Sequence, residues 1–189
     1  RITKRDTDLN KIAHVNDFSR RFSKEEWKTL DIVKYTEELK YINSMGKYND
    51  LLRIFASGLA AAASMMMLGG SSNDFIPTFI TAMLLQVSVM FFRRIGFPTF
   101  IVNCLGGGFV TIFSILFSQF GLGSLDMIII GSIMTLVPGV AITNSLRDII
   151  GGDRVSGTSR GVDALIAAVG IATGVGTFLR LWDMIGGIR

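Results

Sequence analysis

Long apolar runs separated by short polar turns occupy the chain from residue 51 onward, whereas the first 50 residues mix apolar and charged positions. A bilayer-spanning helix needs about 20 apolar residues, so five runs of about this length predict five spans. They cover residues 51–68, 75–92, 99–120, 126–150 and 161–182. The sequence therefore predicts an all-α membrane protein with two parts, a short helical region (1–50) and a five-span transmembrane domain (51–189).

The first part has apolar positions at helical spacing and predicts two helices. In the first, over residues 1–22, Leu9, Ile12 and Phe18 suggest one apolar face. The sequence Ser-Lys-Glu-Glu at 23–26 has the form of a capping box, which predicts that the second helix opens there and ends near Met45. This part holds 11 of the 19 Lys/Arg and 9 of the 15 Asp/Glu, so we expect a cytoplasmic helical region.

Positive charges also predict the orientation of the spans. The first part, Arg93-Arg94 and residues 147–160 carry them, while the turns at 69–74 and 121–125 have no Lys or Arg. Because positive loops stay in the cytoplasm, the N-terminus is expected there and the C-terminus outside. Arg180 and Arg189 conflict with an outside position unless they pair with Asp183 or with another subunit.

Small residues recur at spacings that let membrane helices approach closely. Gly58 with Ala62, and Gly170 with Gly174, follow the small-xxx-small pattern of packed membrane helices. Each glycine of 106–108 weakens a helix by about 1 kcal/mol relative to alanine. Either close packing or local unwinding would explain that run, and we expect close packing.

The fourth run contains Pro138-Gly139, which predicts a broken helix, and a dense polar set follows it. Asn144, Arg147 and Asp148 are spaced so that a helix carries them on one face. Charged groups at the edge of lipid are costly unless they face a cavity or each other, which suggests a functional site. A cytoplasmic loop with a surface ion pair explains the same residues, so both interpretations stay open.

Composition argues against several other classes. The net charge of +4 comes with interleaved acidic residues and no aromatic-basic patch, so nucleic-acid binding is not expected. The sequence has no P-loop, which argues against nucleotide hydrolysis. The single cysteine, Cys104, lies in an apolar run and is predicted to be a buried structural thiol. The chain begins with Arg1 and without a signal peptide, so we expect a fragment or processed product.

Three motifs around the broken helix are similar to those of the threonine/serine exporter (ThrE) family. They are Val137-Pro-Gly-Val140, Asn144-Ser-Leu-Arg-Asp148 and Gly151-Gly-Asp-Arg-Val-Ser-Gly157, followed by Arg160. Residues 126–139 and 161–176 also resemble the family, and a weaker resemblance extends to 9–22. The chain looks most like the N-terminal five-span module of the split, two-component members.

This resemblance implies a secondary-active, proton-coupled exporter in the bacterial inner membrane. The implied solutes are small hydrophilic metabolites such as threonine, serine or C4-dicarboxylates, and the implied partner is a second, smaller five-span subunit, with a homo-oligomer also conceivable. We expect no enzyme activity, catalytic residue, cofactor or metal. The predicted substrate and proton pathway comprises Asn103, Pro138, Gly139, Asn144, Arg147, Asp148, Asp153, Ser156, Gly157 and Arg160.

The chemistry of these residues suggests their roles. A broken helix frees backbone groups that are tolerated only against protein or a wet cavity, where transporters bind substrates. Arg147 or Arg160 could hold a substrate carboxylate, and a partly desolvated Asp148 could carry the coupling proton. Two alternatives remain: a non-transporting structural subunit and, with less support, a membrane enzyme that binds a metal through Asp148 and Asp153.

Overall fold

The computed structural model describes residues 9–24, 31–45 and 49–186. Every regular element in these residues is a helix, which confirms the all-α prediction, and the chain forms two compact units, Arg1–Tyr48 and Asn49–Arg189. The helices are α1 (Leu9–Phe22), α2 (Ile32–Ser44), α3 (Asp50–Met67), α4 (Ser72–Ile95), α5 (Thr99–Gln119), α6 (Leu125–Ile133), α7 (Gly139–Ile150) and α8 (Arg154–Met184).

The first unit is held together by contacts between α1 and α2. The rings of Phe18 and Phe22 meet Tyr35 edge-on, with centroid distances of 5.5 and 5.2 Å. Such aromatic pairs contribute about 0.5–1.5 kcal/mol each beyond the burial of their area. Arg21 of α1 also pairs with Glu38 of α2. The described part of this unit thus contains the two predicted helices.

The second helix begins later than predicted. α2 opens at Ile32, because the Asp31 carboxylate caps it by accepting from the backbone N–H groups of Val33 and Lys34, both at 3.2 Å. Of the predicted capping box, Ser23 and Lys24 form a turn after α1, and residues 25–26 lie outside the described residues. The predicted start of α2 at residue 23 is therefore wrong, while the capping box itself includes residues outside the described ones.

In the described residues, four helices are long and apolar enough to cross a bilayer: α3, α4, α5 and α8. The first three correspond to the predicted spans at 51–68, 75–92 and 99–120. The predicted fourth span is instead divided between α6 and α7, of 9 and 12 residues, and each is too short to cross alone. The structure therefore does not show a fifth continuous span.

The interruption between α6 and α7 covers residues 134–138. Pro138 lacks a backbone N–H and disfavours helical geometry at Val137, so an α-helix cannot run through this point. The N–H groups of Leu136 and Val137 both donate to the Ile133 carbonyl, at 2.8 and 3.2 Å, which closes α6 with a tight turn. The chain becomes helical again at Gly139, where α7 begins. The predicted break is confirmed, although it begins before the proline.

α8 begins earlier than the predicted fifth span at residue 161. Asp153 caps its N-terminus by accepting from the backbone N–H of Ser156, so the predicted 147–160 loop is largely helical. At 1.5 Å per residue, its 31 residues make a helix of about 46 Å, longer than the roughly 30 Å apolar layer of a bilayer. Near its end, Arg180 pairs with Asp183 at 3.7 Å, as suggested, while Arg189 lies outside the described residues.

α5 and α8 pack with their backbones in close approach. A Cβ atom placed on Gly107 would lie 2.6 Å from the Ile171 carbonyl oxygen, and one on Gly170 would lie 3.0 Å from the Phe100 carbonyl oxygen. α5 stays helical through residues 106–108. The glycines therefore serve close packing rather than unwinding, as expected.

The same contacts show that α5 and α8 run parallel. Gly170 meets Phe100 and Gly174 meets Cys104, so residue numbers rise together along both helices. Phe100 is the second residue of α5, and residues 154–166 of α8 therefore extend past the start of α5. At 1.5 Å per residue this extension is about 20 Å long.

α3 packs against α4 in the way its small residues predict. Gly58 and Ala62 are both buried, and a Cβ atom on Gly58 would lie 2.9 Å from the side chains of Phe79 and Met83. Without a Cβ at Gly58, the two helices come close enough for the Ser57 hydroxyl to reach the Ala82 carbonyl at 3.4 Å. The predicted packing face of the first span is confirmed.

Replacing Gly107 by alanine should lower the free energy of unfolding by about 1–3 kcal/mol, because the new methyl group would overlap the backbone of α8. Gly176 of α8 is the matched control, since nothing lies within 4 Å of its Cβ position. Gly176→Ala should leave stability unchanged or raise it by up to about 1 kcal/mol. Thermal unfolding in detergent compares the two, and equal stabilities would contradict the close contact.

Candidate functional site

A cavity of about 420 Å³ lies in the second unit where α6 stops. Its walls come from α3, α4, α5 and, through Thr135 and Leu136, the interruption between α6 and α7. The polar side chains around it are two guanidinium groups, two amides and two hydroxyls, contributed by Arg53, Ser57, Gln86, Arg93, Asn103 and Thr135.

The interruption shapes one wall of this cavity. The Thr135 hydroxyl donates to the Ser132 carbonyl at 2.9 Å, which gives a partner to one of the carbonyl groups at the end of α6. Leu136 lies against α5 at Gly106, where a Cβ atom would be 3.1 Å from its side chain. Glycine at this position lets the turn pack onto α5, and the cavity remains beside it.

Asn103 forms the polar part of the α5 wall. Its side chain is buried, and its amide donates a single long hydrogen bond, 3.5 Å, to the Ala167 carbonyl of α8. A side-chain amide has two donor hydrogens and two acceptor lone pairs. Most of the hydrogen-bonding capacity of Asn103 is thus left for a molecule in the cavity.

Arg53 and Arg93 bring positive charge to the cavity. They lie near the start of α3 and the end of α4, and neither forms an ion pair within the described residues. The neighbouring Arg94 does, with Asp50 at 3.1 Å. Two uncompensated guanidinium groups on one cavity suit a carboxylate, which arginine can bind with two parallel hydrogen bonds.

The predicted pathway residues separate into two places. Asn103 lines the cavity, and Pro138-Gly139 directly follows its wall at Leu136. The others lie on α7 or at the start of α8, and none of them is among the described residues that line the cavity: Asn144, Arg147, Asp148, Asp153, Ser156, Gly157 and Arg160. Their part in a pathway stays a prediction.

α7 and the first turns of α8 form a helical hairpin (residues 139–166). The Ser145 hydroxyl donates to the Gly157 carbonyl at 2.6 Å, and a Cβ atom on Gly157 would lie 2.9 Å from the Ser145 carbonyl oxygen. Asp148 pairs with Arg160 at 3.1 Å. α7 is helical across the predicted polar set. Asp148 pairs across to α8 and Asn144 is half-buried, whereas Arg147 is exposed, so the three side chains do not share one environment.

Five polar residues of the cavity, Ser57 among them, were not predicted as site residues. Arg53 lies at the start of the first predicted span, and Arg93 was interpreted as a topology signal, which is compatible with lining a cavity. Gln86 carries the clearest missed signal, because an amide in the middle of an apolar run is costly in lipid. Thr135 gave no signal of its own, since a threonine can satisfy its hydroxyl within its own helix.

The described residues show no group of three or more His, Cys, Asp or Glu side chains that could hold a metal ion. Asp148 is engaged by Arg160, and Asp153 caps α8. Cys104 is a free thiol and is half-buried, not fully buried as predicted. Its position beside Gly174 explains its burial on one side only, since the carbonyl of Cys104, not its thiol, makes the contact.

The four long apolar helices, with a polar cavity walled by α3, α4, α5 and the interruption, describe a multi-pass membrane protein. The chain belongs to the ThrE family of threonine/serine exporters, which it matches over residues 1–182. In an alignment of 189 positions, it is 29% identical to a threonine/serine exporter of Corynebacterium glutamicum. The alignment covers 97% of this chain and 38% of that relative. The chain thus spans less than half of the relative's length. No solved structure matches it.

The Asp153 cap should make stability depend on pH. The Ser156 hydroxyl and backbone N–H, both donating to Asp153, and nearby Arg160 lower the pKa of this carboxyl. Because the folded-state pKa is lowered, the stabilisation is complete above the ordinary carboxyl pKa and is lost as pH falls through the lowered value.

Asp153→Asn keeps a capping oxygen that cannot ionise. Between about pH 6 and about pH 3, the wild-type chain should therefore lose more thermal stability than the variant does. Melting curves in detergent across this range measure the difference. If the melting temperatures of the wild-type chain and the variant fell in parallel with pH, ionisation of Asp153 would contribute nothing to stability.

Proposed function

We propose that this chain forms the solute-binding part of a secondary-active, proton-coupled exporter of threonine or serine. One observation carries the proposal: a cavity beside an interrupted helix, lined by two guanidinium groups, two amides and two hydroxyls. Interrupted membrane helices are where transporters bind their substrates. The family match and the name of the Corynebacterium glutamicum relative support amino-acid export.

The cavity lining suits a small zwitterion that carries a hydroxyl group. Arg53 and Arg93 would hold the carboxylate, while the Asn103 and Gln86 carbonyl oxygens would accept from the ammonium group. The volume of about 420 Å³ is ample for a solute of this size. A C4-dicarboxylate is the second candidate, because two guanidinium groups could each bind one of its carboxylates.

Asp148 is our proposed carrier of the coupling proton. Its side chain is 25% exposed and its ion pair with Arg160 joins the two helices of the hairpin. Protonation would remove one charge of that pair and loosen α7 from α8, which is one way for a proton to change the shape of a transporter. Asn144, Arg147, Ser156 and Gly157 would then act by shaping this hairpin rather than by binding solute.

The arrangement of charges supports an orientation in the bacterial inner membrane. The Asp50–Arg94 pair shows that α3 starts and α4 ends on the same side, and Arg53 and Arg93 lie there too. The turns at 69–74 and 121–125, on the opposite side, have no Lys or Arg. With positive charge inside, the cavity and the N-terminus would face the cytoplasm.

A second membrane module is the proposed partner. The chain matches only 38% of the length of its Corynebacterium glutamicum relative, so the complete transporter is expected to contain more membrane structure. A smaller five-span subunit would supply it, and large apolar side chains remain exposed on the hairpin for such contact, including Ile142, Leu146 and Leu165.

Uptake of labelled threonine into inverted vesicles that contain the complete transporter tests the cavity, because export from the cytoplasmic face runs into the lumen of such vesicles. Arg93→Gln should reduce threonine transport at least about tenfold, the equivalent of one lost charge-assisted hydrogen bond. Arg94→Gln is the matched control, because Arg94 is the adjacent arginine but pairs with Asp50 outside the cavity. Its transport rate should stay within about twofold of wild type.

The same assay includes serine and C4-dicarboxylates as competitors. Equal effects of the two arginine substitutions would contradict solute binding in the cavity. Transport of none of these solutes by assembled wild-type protein would instead favour the alternative of a structural subunit.

Asp148→Asn should abolish the response of transport to a pH gradient, because the asparagine amide cannot exchange a proton. Exchange of labelled for unlabelled threonine, which needs no net proton movement, should persist. Asp163→Asn, a change of an acidic residue on the facing helix α8, provides the comparison. A pH-driven rate in Asp148→Asn equal to wild type would assign the coupling to another group.

A further inference from the structure

Four hydroxyl groups in the core of the second unit have no hydrogen-bond partner within the described residues. Their side chains are completely or almost completely buried, with exposures of 0–1%. They come from three helices that pack against one another: Thr78 and Thr81 from α4, Ser114 from α5 and Ser132 from α6.

Other hydroxyls on these helices are satisfied in the usual way. Ser88 donates to the Leu84 carbonyl at 2.9 Å, and Thr111 donates to the Gly107 carbonyl at 2.9 Å. A serine or threonine in a membrane helix normally bonds its own backbone one turn earlier. The four unpaired hydroxyls therefore do not use the partner that their own helices offer.

Leaving these groups unpaired has a cost. A buried polar group without a partner destabilises the fold by about 1–3 kcal/mol. A valine or alanine in the same place would avoid that cost and would suit an apolar bundle. Four such groups in neighbouring helices therefore indicate a polar ligand that the closed bundle does not itself provide.

The unpaired hydroxyls continue the polar lining of the cavity. The Thr78 methyl group lies 2.7 Å from the Cβ position of Gly131, which places Thr78 against α6 at the residue before Ser132. The Ser132 carbonyl in turn accepts from the hydroxyl of Thr135, which lines the cavity. Along α4, Thr78 and Thr81 precede the cavity residue Gln86 by eight and five residues, about two turns and about one and a half turns.

We propose that Thr78, Thr81, Ser114 and Ser132 line the second half of the solute pathway, from the cavity toward the opposite side of the membrane. This inference rests on the proposed transport function and extends it. A hydroxyl can donate to a carboxylate and accept from an ammonium group, so these uncharged walls suit a zwitterion in transit without holding it tightly. In the structure this half of the path is closed.

Thr78→Val and Thr81→Val test the proposal, because valine keeps the shape of threonine without the hydroxyl. Each should lower threonine flux by about fivefold to tenfold, the equivalent of one hydrogen bond. Thermal stability should stay the same or rise, since an unpaired buried hydroxyl is removed. The matched control is Thr111→Val, which is equally buried but satisfied by its own helix, and its flux should stay near wild type.

A purely structural role predicts the opposite pattern. Lower stability with unchanged flux in Thr78→Val and Thr81→Val would overturn the proposal. So would a loss of flux in Thr111→Val as large as in the other two, since the effect would then follow burial rather than the unpaired hydroxyl.

Chemical labelling provides a test that does not need transport. In a Cys104→Ala background, Ser132→Cys and Ser114→Cys should react with a small cationic methanethiosulfonate reagent when the path opens, and threonine should slow the reaction. Ile171→Cys is the control, because Ile171 is buried on α8 where this helix packs against Gly107 of α5, away from the four hydroxyls. Labelling of both serine positions no faster than Ile171→Cys would overturn the proposal.

The two assays separate failure of the path from failure of the function. Labelling at Ser132→Cys, together with no transport of any tested solute by the assembled wild-type protein, would leave a water-accessible path without an exporter. Threonine transport without labelling at either serine position would leave an exporter whose path runs elsewhere.

Discussion

The contact between the backbones of α5 and α8 determines how the second unit is arranged. At Gly107 and Gly174, the carbonyl groups of the facing helix come within a distance that a Cβ atom would not allow. Contacts of this kind between membrane helices are stabilised by close van der Waals packing and by weak Cα–H···O bonds. Apolar burial alone would not distinguish one partner helix from another in lipid, so the glycines select the pairing.

Two features of the site depend on this pairing. Asn103 reaches the Ala167 carbonyl only because α5 and α8 run parallel at close range. The parallel register also leaves residues 154–166 of α8 beyond the start of α5, and α7 packs against that extension. The cavity wall and the hairpin with Asp148 and Arg160 are thus positioned by one contact between two helices.

The interruption between α6 and α7 adds polarity to a bundle that is otherwise apolar. It leaves space at Thr135, and the hydroxyls of α4, α5 and α6 lie further along the same helices. At the far end, Asp74 accepts hydrogen bonds from the Ser124 backbone N–H and hydroxyl, at 2.6 and 2.9 Å, and ties α4 to the turn before α6. Departures from ideal helical packing are expected at functional sites, where stability is exchanged for function.

The amino-acid sequence by itself determined the all-α class, three of the long apolar helices, the break at Pro138 and the close packing at Gly58, Gly107 and Gly170. Each follows from a local property: apolar length, the missing N–H of proline or the missing Cβ of glycine. Only the tertiary structure decided that the fourth apolar run is two helices, that α8 starts at Arg154 and that Arg53, Gln86 and Arg93 share a cavity with Asn103. These depend on which helices become neighbours, and residues that are far apart in sequence carry no local signal of that choice.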